Sequence, residues 1–208
     1  PIFWNKYIHK LSLRSDKNDT LTSRDQQEIY TNVFSVINKY KKPLIMKGAA
    51  VGNNLNVFLD IFPHARFIRF TRDPFYTAQS LLQSTRKMGI SFEDAWMKRI
   101  KPHNYNKILE TPSIFRKIAL YVHALYQQNA EDLKQVPEEN YTSFSYEELC
   151  TSMNNVLKKT GNLLGQHAIL RQNAEFPVLT NQNIQKINDA DFDRLGEEVN
   201  SLNWQNIL

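Results

Sequence analysis

One cysteine, Cys150, is all the thiol chemistry in this 208-residue chain. No intrachain disulfide can form, which fits a reducing compartment and a cytoplasmic location. Its place directly after a YEEL segment reads as a buried structural thiol rather than a nucleophile. Glycine is scarce, with six residues. None of them builds the G-x-x-x-x-G-K-[ST] loop of a conventional P-loop NTPase. No apolar run approaches the roughly 20 residues needed to span a bilayer, and no secretory signal stands at the N-terminus. Basic residues outnumber acidic ones, for a formal charge of +5, but they form no polybasic run. That mild excess favours anionic ligands without identifying them. With no RRM or zinc-finger signature, nucleic acid is not the expected partner. The five histidines show no metal-ligand spacing, so no metal is expected. The length suits one domain over residues 1–208, and no repeat, linker or low-complexity segment divides it.

The information is concentrated in residues 42–82, KPLIMKGAAVGNNLNVFLDIFPHARFIRFTRDPFYTAQSLL. ARFIRF reads as a buried strand, Thr71-Arg72-Asp73-Pro74 as a tight exit, and the residues from Phe75 onward as a helix carrying Ser80. Arg72 therefore ends a strand, where its guanidinium projects from the carboxyl edge of the sheet, the edge at which open α/β sheets gather ligands. Its planar fork matches a phosphate in two-point contact. Asp73 suits an N-cap and Pro74 a first helical position. The free N–H groups of that helix then start beside the Arg. An isolated RDP after a strand is also explained by a turn with a capping Asp. The surrounding Phe62-Pro63-His64-Ala65-Arg66 and the spacing to Ser80 favour the phosphate reading.

Elsewhere the pattern predicts an irregular start anchored by Phe3, Trp4 and Tyr7. A helix capped by Thr22 or Ser23 runs to Lys39. A short buried strand covers residues 43–47 (PLIMK), followed by a polar loop over 48–54 and a helix over Leu55–Ile61. With the strand over 65–71 this makes a βαβ unit, hence a parallel sheet. Helices follow over 75–87 and 92–100, then a loop over 101–105 (KPHNY) and a long amphipathic helix over 112–133. A strand over Tyr141–Ser145, a helix over 147–160 ended by Gly161, and a helix over 191–201 complete the reading. The fold class is α/β, a parallel sheet flanked by helices.

Taken together, the strand with Lys47, the FPxARFI strand, RDP and a Ser eight residues on resemble the sulfotransferases that use 3′-phosphoadenosine 5′-phosphosulfate (PAPS), in particular the bacterial and tyrosylprotein types. A second block, YTSFSYEEL followed later by Leu163-Leu164-Gly165, is similar to the family's strand ending in YEDL and its FLG. The likeness runs from about residue 43 to 165. It implies a P-loop-NTPase-like fold and transfer of a sulfuryl group to an acceptor hydroxyl or amine, with adenosine 3′,5′-bisphosphate as the product and no metal. By the same resemblance, Arg72 and Ser80 bind the donor's 3′-phosphate and Tyr146 flanks the adenine. Lys47 neutralises charge on the leaving phosphate, and His103 and Tyr105 lie where an acceptor pocket is built. The acceptor would be a small molecule or carbohydrate.

The chain departs from the family in two places. A strand, a GxxRSGTT-like loop and a helix normally wrap the 5′-phosphosulfate, and no such segment is found. Ala49 stands where the cytosolic enzymes carry a catalytic His, so no base is identified. The expectation is a domain incomplete at its N-terminus. The alternatives are a non-catalytic module for 3′-phosphoadenosine nucleotides, a phosphoryl-transfer enzyme of related fold, and a basic helical nucleic-acid binder.

Overall fold

The computed structural model describes residues 21–47, 55–98, 100–165, 178–205 and 207. In chain order these form α1 (Ser23–Tyr40), α2 (Leu55–Ile61), β1 (Phe67–Thr71), α3 (Pro74–Met88), a π-helical turn (Glu93–Met97) and α4 (Tyr105–Leu109). There follow α5 (Ile114–Leu133), a 3-10 turn (Glu138–Asn140), β2 (Tyr141–Ser145), α6 (Tyr146–Thr151), α7 (Met153–Leu164) and α8 (Asp189–Asn200). β1 and β2 pair in parallel, from Phe67 opposite Tyr141 to Thr71 opposite Ser145. The fold class is α/β, helix-rich around a parallel pair.

Local chemistry explains the boundaries. Thr22 caps α1 in a reciprocal box: its hydroxyl accepts from the Asp25 N–H at 3.2 Å, and the Asp25 carboxylate accepts from the Thr22 N–H at 3.0 Å. Asp73 caps α3 by accepting from the Phe75 N–H at 2.8 Å, and Pro74 takes the first turn, where its missing N–H is not needed. Ser145 caps α6 through the Glu148 N–H at 2.9 Å.

The main core lies between α3, α5 and α8. It joins Ala78 and Leu82 to Ile118, Tyr121 and Val122, and these to Leu195 and Val199. Each such aliphatic side chain contributes about 1.5–3 kcal/mol on burial. A second cluster, Ile29, Phe58 and Ile61, fastens α1 to α2. A third, Leu55, Leu133 and Val136, ties α2 to the end of α5. Phe67 of β1 packs against both, so the strand is seated by one face.

Several expectations are corrected. Residues 43–47 form no strand, and Ile45 is 80% exposed. An apolar run reads as buried, but a strand also needs a partner for its N–H and C=O groups. The parallel partner of β1 is β2 instead. β1 is not buried on both faces: Ile68 is 38% and Phe70 57% exposed, with Phe70 set edge-on to buried Phe144 at 4.5 Å. The helix expected over 147–160 is broken at Ser152 (φ −142°, ψ 50°), and Gly161 lies inside α7 while Gly165, at φ +61°, ends it. In place of the helix expected over 92–100 there is a π-helical turn over Glu93–Met97, and Tyr105 opens α4 rather than lying in a loop. Cys150 is half-buried, not buried. The expected anchors Phe3, Trp4 and Tyr7 and the loop 48–54 lie outside the described residues.

Candidate functional site

The register of the sheet builds the site. Because Thr71 is paired with Ser145 as the last rung, Arg72 and Tyr146 leave the two strands side by side at their carboxyl edge. The Arg72 guanidinium carbon lies 4.9 Å from the centroid of the Tyr146 ring, a cation–π contact. Arg72 also meets the start of α3, where Asp73 and Pro74 set the first turn.

Tyr126, from the middle of α5, locks this corner. Its hydroxyl donates to the Arg72 carbonyl at 2.8 Å and accepts from the Arg72 N–H at 3.2 Å. Thr77 Oγ1 lies 3.2 Å from the same oxygen. Behind it, the Tyr126 ring stands edge-to-face with Trp204 at 5.9 Å. The Trp204 indole donates to the Val199 carbonyl at 2.9 Å.

The segment after residue 178 supplies the other wall. Arg72 Nε donates to Asn183 Oδ1 at 2.7 Å and Nη2 to the Gln182 carbonyl at 3.1 Å. Glu147, the second residue of α6, accepts from the Asp73 N–H at 3.2 Å and from Asn183 Nδ2. Partial burial would raise the Glu147 carboxyl. Hydrogen bonds from its own N–H, from Asp73, from Asn183 and from Ser145 outweigh that and hold it below the usual carboxylate range.

Of the residues marked in the sequence, the structure brings Arg72 and Tyr146 together. Ser80 sits on the exposed face of α3 with no hydrogen-bond partner among the described residues. It lies about 9 Å along the helix from Pro74 at the standard rise. Lys47 is exposed and makes no hydrogen bond or ion pair among the described residues. His103 is exposed, and its N–H donates to Gln128 Oε1 at 3.3 Å. Tyr105 packs on the main core, its ring 5.3 Å from Lys101 Nζ. Neither touches Arg72.

Tyr126, Gln182 and Asn183 are site residues that sequence reading passes over. A Tyr on the apolar stripe of a helix does carry a signal, because a buried phenol needs a polar partner. Gln182 and Asn183 stand in TNQNIQK, where neither periodicity nor motif singles them out.

Arg72 thus stands at the carboxyl edge of a parallel strand pair, beside a capped helix N-terminus, in an α/β protein. The profile of the sulfotransferase family matches residues 5–167, and the chain belongs to that family, whose members transfer sulfuryl groups. No curated protein and no solved structure matches it. Among the described residues no helix is long and apolar enough to cross a membrane.

Proposed function

We propose that this protein transfers a sulfuryl group from PAPS to a hydroxyl or amine of a small-molecule or carbohydrate acceptor, with Arg72 and Ser80 on the donor's 3′-phosphate. The observation that carries the reading is Arg72. Its Nη1 has no hydrogen-bond partner among the described residues, while Nε and one N–H of Nη2 are held in place. The unpartnered Ser80 hydroxyl lies on the helix that begins beside it. These groups fit a dianionic phosphate, since a charged fork is the strongest ordinary donor to one.

Tyr146 gives one ring face to Arg72, so its contact with a purine falls to the opposite face. When bound, PAPS supplies the sulfuryl group and a phosphate leaving group. Lys47 would neutralise charge on that phosphate, and His103 and Tyr105 would meet the acceptor. The scheme uses no metal, and it places the single domain in the cytoplasm, where an unpaired Cys150 is stable.

Lys47 is exposed and makes no hydrogen bond or ion pair among the described residues, which favours a second reading: a module that binds 3′-phosphoadenosine nucleotides without turnover. Titration calorimetry with adenosine 3′,5′-bisphosphate, beside transfer of labelled sulfuryl from PAPS to an acceptor panel, tests both. Arg72→Ala is expected to weaken nucleotide binding by about 10- to 100-fold, the worth of charge-assisted bonds. Binding by Arg72→Ala equal to that of the unaltered protein sinks the donor-site reading. Binding without any transfer decides for the non-catalytic module.

A further inference from the structure

Residues 180–186 lie along α3 as a strap whose two ends are fixed. At one end Gln79, only 2% exposed, donates from Nε2 to the Ile184 carbonyl and accepts at Oε1 from the Lys186 N–H, both at 2.9 Å. At the other end the Tyr146 hydroxyl donates to the Thr180 carbonyl at 3.3 Å and accepts from the Gln182 N–H at 3.0 Å. The backbone between them is thus pinned to the helix that carries Ser80 and to the ring that underlies Arg72.

A guanidinium has two edges that can grip an anion in two-point fashion, the Nε–Nη2 edge and the Nη1–Nη2 edge. The strap fills the first, with Asn183 Oδ1 on Nε at 2.7 Å and the Gln182 carbonyl on Nη2 at 3.1 Å. Tyr146 covers one flat face. The Nη1 side remains for a ligand. Asn183 is itself oriented, because its Nδ2 donates to Glu147, which also accepts from the Asp73 N–H. Only an amide serves here, since one end must accept from Arg72 and the other donate to Glu147. An Asp would place its carboxylate against that of Glu147 and would compete with the anion for Arg72.

We infer that Asn183, held by Glu147, is a positioning residue that fixes the Arg72 fork so that a phosphate is met by its Nη1–Nη2 edge. This rests on the reading of Arg72 as a phosphate ligand. Without the relay, binding must itself order a long side chain, and both edges compete for the anion.

Two measurements on the full chain test it. The first is the Arg72 Nε–H resonance, observed by NMR without ligand and assigned by its loss in Arg72→Ala. It should exchange slowly with water in the unaltered protein and fast in Asn183→Ala. The second is titration with adenosine 3′,5′-bisphosphate. Asn183→Ala should bind about two- to tenfold more weakly, the worth of one side chain's lost ordering. Asn183→Asp should lose more, because a carboxylate now occupies the fork. A role in strap folding alone predicts equal losses in the two variants and no selective change at Nε. Equally fast Nε–H exchange in the unaltered protein and Asn183→Ala overturns the relay whatever the nucleotide does. Loss of binding in Arg72→Ala, with both Asn183 variants binding normally, overturns the relay and leaves the phosphate reading standing. Undiminished binding by Arg72→Ala, or none by the unaltered chain, overturns both.

Discussion

Tyr126 divides one hydroxyl among the Arg72 N–H, the Arg72 carbonyl and Thr77. Those two backbone groups fall just past the last rung of the ladder, so no strand partner takes them. Tyr126→Phe keeps the ring and leaves them unmet, at a cost of about 1–3 kcal/mol. A lowered thermal midpoint is expected, together with weaker nucleotide binding although Tyr126 touches no nucleotide in this scheme. Arg72→Lys makes the complementary point. It retains the charge but not the fork, and calorimetry should show most of the Arg72→Ala loss. Arg72 is legible in the sequence because strand, RDP and Ser80 constrain one another. Asn183 is not, because its partners Arg72 and Glu147 are 111 and 36 residues away.

At the level of elements, legibility follows how local the cause is. The helix over Leu55–Ile61 and the strand over Tyr141–Ser145 are read to the residue, since periodicity and flanking turns lie within a few positions. The end of α7 is misread because both Gly161 and Gly165 can stop a helix. The choice is tertiary: Arg66, from the turn before β1, donates to the Leu163 carbonyl and satisfies the helix end there. Gly165 then turns out at φ +61°. Gly165→Ala should cost about 1 kcal/mol through backbone strain, seen as a shift in urea midpoint, whereas Gly161→Ala, inside the helix, should be neutral or stabilising. Residues 43–47 fail as a strand for the same kind of reason, since composition specifies apolarity but not a ladder partner.

Across the whole molecule the charged pairs set the response to acid. Hydrogen bonding from Arg86 lowers the Asp191 carboxyl and links α3 to α8. Burial acts to raise Glu93, but Lys117 on α5 outweighs it and lowers that group too. With Glu147, and with Asp94, which a hydrogen bond from Lys98 lowers, four carboxyls among the described residues lie below their ordinary values in the folded state. Such groups add stability above the unfolded carboxylate value, and it is lost as pH falls through the lower folded value. The thermal midpoint should therefore be level through neutrality and decline below about pH 4. Glu147→Gln should reduce the acid-side slope; an unchanged slope would remove Glu147 from the set.

The edge-to-face contact of Trp204 with Tyr126 gives the protein a built-in optical gauge. The chain has three tryptophans, at positions 4, 96 and 204. Replacing Trp4 and Trp96 by Phe leaves a single indole one ring away from the hydroxyl that grips Arg72. Its emission then reports the state of the corner directly. Saturation with adenosine 3′,5′-bisphosphate should change its intensity in the otherwise intact chain and leave it flat when Tyr126 is replaced by Phe, so occupancy can be followed in real time without a label.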